Sequence, residues 1–504
     1  MLMILKKSIY IVWYFSIFQN KIVFYVSVNF AVLSNRAVIA WTSPSHPFLK
    51  SNNTIIDEPI TDDQEAWLGS CIYLVALVSS PLYSYINQNM GRKLAGYLTV
   101  LPLVIGWIII GCANSVALLF LGRLIQGLSF GGVNVFQSMY VSEISEDDIR
   151  GTLGAMRGVS TELGSLAMYS IGPYLGISKT AFVSLIFPLV FLMLYFCLPE
   201  SPMFLLGKKK HEKAMKAYLW FRRGDVDCAQ KEFDKLSVVI KSRSDNLTVR
   251  EILFGRDTRN AMVIAIVLNV VMRLCGVLVV FSYISKLTEI SGSTISLEID
   301  PIIVGVVSFL ASIFGIYITD KAGRRRVLIS SLVAQGLALV ILGIFIQLKE
   351  LHYNLSVYSF VPLICLCIYC GCVIPGISST TFIVISEIFR PEARGLATAI
   401  TCPLSWFLAF ASTQYHHNLE NWLGLQGCYW FYGGVSLFGA VFTYVKVPET
   451  KNRSLESILR ELNGDDMGER DHNQVEVFTI NGYVQKHDTN GSTGEVQLIS
   501  MKYI

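Results

Sequence analysis

The chain has 504 residues, of which 53% are hydrophobic and only 15% charged, with a formal net charge of +4. Soluble domains carry about 25% charged residues, so this deficit excludes an ordinary water-soluble multidomain protein and names lipid as the main solvent. The small positive balance calls for no nucleic-acid partner; its placement beside apolar windows carries more information.

Residues 1–20 contain an apolar patch at 8–18, too short to span a bilayer, and are read as a cytoplasmic lead-in. Beyond it the apolar residues gather in windows of about 20, each enough to cross a hydrocarbon core of about 30 Å as a helix. The windows predict an all-α integral membrane protein with 12 spans, at 21–42, 66–86, 94–112, 116–139, 153–176, 180–198, 260–285, 301–319, 327–347, 357–385, 396–415 and 425–447. Barrel strands would alternate in polarity, and these windows do not. Residues 199–259 interrupt the spans with a charged linker whose periodic pieces, Glu212 to Arg222 and Ala229 to Ile240, predict short surface helices. The linker divides the chain into a six-helix half at 21–198 and another at 260–447. Residues 448–504 form a cytoplasmic tail, read as mostly disordered because it is polar and lacks periodicity after about 462.

Three phrases occur twice in the same order, about 230 to 250 residues apart. Gly91-Arg92-Lys93 is echoed by Gly323-Arg324-Arg325; Ser142-Glu143-Ile144 with Arg150-Gly151 by Ser386-Glu387-Ile388 with Arg394-Gly395; and Pro199-Glu200 by Pro448-Glu449. Each sits where an apolar run meets a charged loop. Such self-similarity predicts two pseudo-symmetric half-bundles facing one another across a solute site. Arg150 lies seven residues after Glu143, and Arg394 seven after Glu387, so each pair straddles a span end and a loop, a fit place for an ion-pair latch.

Charge also predicts orientation. Arg92-Lys93, Lys208 to Lys210, and Lys321 with Arg324 to Arg326 fall in loops on one side, while Asp57, Glu58, Asp62, Asp63, Glu65, Glu298 and Asp300 mark the other. The positive-inside rule then places both termini in the cytoplasm, with the sequons at Asn52 and Asn354 outside. The 11 cysteines lie almost all in apolar windows; Cys365, Cys367, Cys370 and Cys372 are read as small apolar residues rather than metal ligands. The seven histidines are read as loop or tail residues. No cofactor, metal or enzymatic constellation is expected, and the absence of a Gly-Lys-Ser/Thr loop argues against ATP-driven pumping.

Ile125-Gln126-Gly127 with Gly131, Tyr140, Glu143 and Arg150, preceded by Gly122-Arg123, stands at the spacings of the sugar-transporter signature. Asp320-Lys321-Ala322-Gly323-Arg324-Arg325 resembles the loop motif of the major facilitator superfamily, and Pro199-Glu200-Ser201-Pro202 and Pro448-Glu449-Thr450-Lys451 the half-terminal motifs of its sugar porter branch. Trp41-Thr42-Ser43-Pro44 and Trp67-Leu68-Gly69-Ser70 are most similar to insect facilitated trehalose and glucose transporters. The resemblance implies facilitated sugar movement by alternating access in the plasma membrane, by a monomer. It places Arg92, Arg123, Glu143, Arg150, Asp320, Arg324, Arg325, Glu387 and Arg394 in a cytoplasmic gating network. Gly127 and Gly131 are expected to serve helix packing.

The chain departs from that pattern at its expected binding site. Gln88 stands where the loop motif has an acidic residue. Met272-Arg273-Leu274-Cys275 replaces a glutamine-rich segment, Gly158 a sugar-contacting glutamine, and Ser378-Ser379-Thr380-Thr381-Phe382 the Gly-Pro-x-Pro-Trp of the tenth span. Trp406 and Tyr283 survive, and with Phe382 are expected to contact solute. Arg36, Arg157, Glu162 and Arg273 lie within spans 1, 5 and 7, where a charge costs at least about 2.5–3.5 kcal/mol unless it faces protein or a wet cavity. Two readings stay open: these groups pair internally or sit near span ends, or the arginines coordinate an anionic or strongly polar solute, with Arg157, Glu162 and Arg273 as the candidate contacts. A transport-inactive sensor is the third reading of the whole chain. No carboxylate occurs between Lys21 and Thr42, so uniport is expected over proton symport.

Overall fold

The computed structural model describes residues 23–463 without 52–55, 57, 145–149, most of 223–255 and 292–298, together with 477–480 and 483–486. The first half comprises α1 (Val23–Lys50), α2 (Asp62–Met90), α3 (Arg92–Gly111), α4 (Val116–Ile144), α5 (Arg150–Ser184) and α6 (Ile186–Phe196). Short helices α7 (Pro202–Gly207) and α8 (His211–Phe221) follow. The second half holds α9 (Arg256–Leu274), α10 (Val277–Ser291), α11 (Ile299–Ala322), α12 (Arg324–Glu350), α13 (Val361–Val373), α14 (Thr381–Ile388), α15 (Pro391–Gln414) and α16 (His416–Lys446). A last helix, α17 (Leu455–Asn463), begins the tail.

Among the described residues, eleven stretches are long and apolar enough to cross a membrane. One of them, Met156–Phe196, has 41 residues, about twice what a hydrocarbon core needs. It turns at Gly176, whose φ of 66° and ψ of −177° no helix accommodates, and so supplies both the fifth and sixth crossings. The fold is therefore the expected twelve-helix bundle. Helix α2 shows why its start is sharp: Thr61 Oγ1 accepts the Gln64 N–H at 3.3 Å, and Gln64 Oε1 accepts the Thr61 N–H at 3.0 Å, a reciprocal cap.

Three features differ from the sequence reading. Helix α1 runs to Lys50, about two turns beyond the expected end at 42, through Pro44 and Pro47. Thr42, Ser43, Pro44, Ser45 and His46 are all buried, so packing overrides residues that usually break helices. Second, Val477–Ile480 (β1) and Tyr483–Lys486 (β2) form an antiparallel hairpin in the tail, with Ile480 opposite Tyr483. In the sequence the intervening Asn481-Gly482 is the favoured two-residue hairpin pair, a local signal in a tail whose polar composition predicts mostly disorder. Third, His46 and His416 are buried helical residues rather than loop residues. The leading 1–20 segment and most of the expected helix at 229–240 lie outside the described residues.

Two crossings are discontinuous. The seventh breaks at Gly276, φ 89°, between α9 and α10. The freed carbonyl of Cys275 accepts the Tyr369 hydroxyl at 3.0 Å, which meets the requirement that buried backbone groups be paired. The tenth passes from α13 to α14 through a π-helical segment, Ile374–Thr380. Broken helices beside a central cavity are a recurrent way to expose backbone dipoles to a solute.

Within the first half, α4 packs closely on α2 and α3 through small residues. A Cβ on Gly131 would stand 2.8 Å from the Ala76 carbonyl, too near for any side chain without backbone movement. Gly131→Val is expected to abolish the monodisperse peak of detergent-extracted protein in size-exclusion chromatography. Wild-type elution and yield would refute the packing role.

In the described polar and close contacts the two halves meet midway along the bundle, where Trp406 packs on Tyr73 and Phe130, and at one end. Ser70 Oγ donates to Gln414 Oε1 at 2.6 Å, joining α2 to α15. Tyr169 donates to the Phe281 carbonyl at 2.9 Å, joining α5 to α10, and Gly305 of α11 abuts Leu166 and Tyr169. At the opposite end, where α2 and α4 finish and α3 and α12 begin, the hydrogen bonds among the described residues join groups of the same half. Among the described residues, cross-half hydrogen bonds occur toward the α1–α2 connection, the sealed end, and none is described at the Arg92 end, the parted end.

Candidate functional site

The repeated phrases fold into matching clusters at the parted end. Glu200 accepts the backbone N–H of Arg92 at 2.8 Å and of Lys93 at 3.2 Å, capping α3. A carboxylate is favoured there by unpaired N–H groups and the helix dipole. Glu143, on the last turn of α4, accepts Arg92 Nε at 2.9 Å and Nη2 at 2.5 Å, and Ser201 Oγ at 2.5 Å. The second half repeats this: Glu449 accepts the Arg324 N–H at 3.0 Å, Arg324 stands 3.4 Å from Glu387, and Thr450 donates to Glu387. Gly91 and Gly323 turn into the capped helices with φ of 105° and 92°. A Cβ on Gly323 would stand 2.7 Å from Glu449 Oε2. Both glycines are therefore required, by backbone conformation and by the carboxylate's approach.

Midway along the bundle a second group of charges and aromatic rings gathers. Arg36 of α1 donates to Ser165 Oγ at 2.8 Å, stands 3.9 Å from Glu162, and lies 4.7 Å over the Phe281 ring. Arg157 of α5 donates to Asn134 of α4. Arg273, in the last turn of α9, donates to Ser405 Oγ at 2.8 Å and lies 5.4 Å over Trp406. Trp406 stacks on Tyr73 at 6.4 Å and meets Phe130 edge-on at 5.1 Å. The Tyr73 hydroxyl and Glu162 Oε2 are buried, and neither has a hydrogen-bond partner among the described residues.

A third group closes the sealed end. Glu65 stands 2.7 Å from His46 Nε2 and 3.0 Å from Lys50 Nζ, and Lys50 also pairs with Asp62. Tyr283 places its ring 6.3 Å from His46 and 5.4 Å from His416, which contacts the Tyr432 hydroxyl at 3.0 Å. Asp62, Glu65, Tyr283, His416, His417 and Glu420 line a small polar cavity there.

Residues 21–462 match the family described as Sugar (and other) transporter. The chain belongs to the sugar transporter family. Facilitated trehalose transporter Tret1 of Anopheles gambiae is 29% identical over 427 residues, covering 84% of this chain and 54% of that protein. The chain thus spans about half the length of that relative, and 53% of the Aedes aegypti Tret1. The Tret1-2 homolog of Drosophila simulans is 30% identical over 441 residues, covering 87% of this chain and 90% of that one. The inward-open structure of the xylose transporter XylE from E. coli shares the fold, with a TM-score of 0.70 at 20% identity, covering 86% of this chain and 99% of that one.

In this sugar transporter family chain the structure distributes the expected site residues unevenly. Trp406, Arg273, Arg157 and Glu162 fall in the central group. Tyr283 does not: past the break at Gly276, α10 carries it to the sealed end. Phe382 is more than half exposed and stands apart from the Trp406 stack, while its neighbours Thr380 and Thr381 are buried. Arg92, Glu143, Arg324 and Glu387 gather at the parted end. Arg325 is nearby but bonds the Tyr444 carbonyl, and Arg394 is exposed and donates to the Phe389 carbonyl at 3.2 Å.

Arg123 lies outside the cluster where the resemblance placed it. It is fully buried and donates to the carbonyls of Leu68 at 2.9 Å and Val38 at 2.6 Å, with Trp41 under its guanidinium. It ties α4 to α1 and α2, donating also to Thr42 Oγ1 at 3.3 Å and to Gln126 Oε1 at 3.5 Å, so that its several donors are met in a buried place. The side chains of Arg150 and Asp320, and all of Asn52, lie outside the described residues. Gln88 is exposed, and Arg92 finds Glu143 and the Asn87 carbonyl (2.7 Å) without it. Sequence reasoning missed Tyr73, Phe130, Ser165, Ser405 and the His46–Glu65 pair; their partners come from other helices, and no spacing announces such contacts.

Proposed function

We propose that this chain moves a sugar, of the trehalose or hexose kind, by facilitated diffusion through alternating access. It acts as a monomer in the plasma membrane, with both termini and the parted end cytoplasmic. The observation that carries the reading is the asymmetry of closure: the halves are joined at one end, parted at the other, and share an aromatic and polar group between. Arg92, Glu143, Arg324 and Glu387 form the cytoplasmic gate, to which the sequence motifs also assign Arg150, Asp320, Arg325 and Arg394; Trp406, Arg273, Arg157 and Glu162 contact solute. Stacked rings suit the apolar faces of a sugar, and the polar groups around them suit its hydroxyls. The described α1 carries no carboxylate and Arg36 engages Glu162, which favours uniport.

Uptake of radiolabelled sugars by oocytes expressing the protein tests this, with accumulation never exceeding the external concentration. Surface expression without uptake of any sugar would favour a sensor. Orientation has its own test. Asn354 is exposed in the connection after α12, and Asn354→Gln is expected to abolish one glycosidase-sensitive shift in gel mobility. A shift that survives both this change and Asn52→Gln would contradict the proposed sidedness.

A further inference from the structure

We propose that the central site selects a hexose-sized sugar carrying an anionic oxygen group, a carboxylate or a phosphate, held between Arg157 and Arg273 from opposite halves. The inference rests on the transport reading and narrows its substrate. Three arginines, Arg36, Arg157 and Arg273, meet at mid-bundle against one described carboxylate, Glu162, which stands beside Arg36 alone. Arg157 and Arg273 have neutral partners, Asn134 and Ser405. A guanidinium carries five N–H donors, so each retains several. Both side chains are partly exposed although they lie deep in the bundle.

Arg157 and Arg273 both lie within electrostatic range of Cys402 on α15, and Arg36 and Arg273 within that of the buried Tyr73 hydroxyl. An anionic oxygen group there would accept forked hydrogen bonds from an arginine of each half, while Trp406 and Tyr73 would stack against the sugar ring. The arrangement also couples binding to movement. Closing the parted end brings like charges of the two halves together, which an empty carrier resists and an anion between them relieves. A ligand drives a transition only by favouring one state over another, and a bridging anion does so here.

The test is uptake and thermal stabilisation of the full-length protein with glucuronate, glucose 6-phosphate and glucose, in wild type, Arg273→Gln and Arg273→Lys. In wild type, glucuronate or glucose 6-phosphate is expected to enter at least about tenfold faster than glucose at equal low concentration, with a current whose direction marks inward movement of negative charge. Arg273→Gln is expected to erase that preference by raising the KM for the anion, and Arg273→Lys to restore part of it. Uptake of glucose alone, or a preference unchanged by Arg273→Gln in well-expressed protein, overturns the anion site but keeps the transport reading. Stabilisation by an anion that depends on Arg273, without uptake of any probe, keeps the anion site and removes the transport reading.

Discussion

Glu143→Gln is expected to lower the uptake rate per surface copy at least about tenfold. Arg92 and Glu143 are each about nine-tenths buried, and the variant would leave Arg92 facing a neutral amide. Removing one partner of a fully buried ion pair costs about 3–5 kcal/mol. The remaining Asn87 carbonyl and edge exposure reduce that to about 2 kcal/mol, still more than the about 1.4 kcal/mol of a tenfold change. The cost falls on the parted end, where Ser201 and the Glu200 cap share the cluster, so the balance of states moves with it. Glu387→Gln is expected to do less, since Arg324 and Glu387 stand 3.4 Å apart and are more exposed. Initial rates normalised to surface biotinylation measure both. The double variant Arg92→Glu with Glu143→Arg is expected to recover part of the activity, and wild-type rates in Glu143→Gln would rule out this cluster as a gate.

Glu65→Ala is expected to act at the other end. Glu65 is buried and stands 2.7 Å from His46 and 3.0 Å from Lys50, so its removal leaves buried His46 without its close carboxylate and Lys50 with Asp62 alone. Leaving such groups unsatisfied costs about 1–3 kcal/mol, borne only by the sealed state. The occupancy of the state open at this end should rise by about tenfold or more. A cysteine at buried Ala66 reports it: its labelling by an impermeant thiol reagent is expected to accelerate in Glu65→Ala by that factor. An unchanged labelling rate would mean that the Glu65 cluster does not hold this end shut.

Much of the fold was legible because lipid imposes few solutions. Apolar windows of span length must be helices, and the paired phrases Gly91-Arg92-Lys93 and Gly323-Arg324-Arg325 could recur only in related halves. Glu200 and Glu449 then take the same capping place, as the phrases suggest. What remained hidden was decided by tertiary contact. Pro44 and Pro47 read as the end of a helix until burial shows them inside one. Tyr283 reads as a solute contact until the break at Gly276 carries it toward His416. Arg123 follows the signature in sequence, yet only the carbonyls of Val38 and Leu68 reveal its use. Arg157 and Arg273 could be read as a problem needing a solution, but Asn134, Ser405 and Trp406 could not be named as their partners. The hairpin at 477–486 was missed because a strand pair of this length gives little periodicity, although Asn481-Gly482 marked its turn.

The measurement that bears most directly on alternating access is a pair of spin-label distances recorded on one cysteine-free background. One pair, at Met90 and Thr398, reports the parted end; the other, at Asp63 and Asn421, reports the sealed end, and all four residues are exposed. Added transported solute is expected to shift the two distributions in opposite senses, the first pair drawing together as the second separates. Distances that do not respond to solute, or that lengthen or shorten together, would contradict a carrier whose halves rock about a central site.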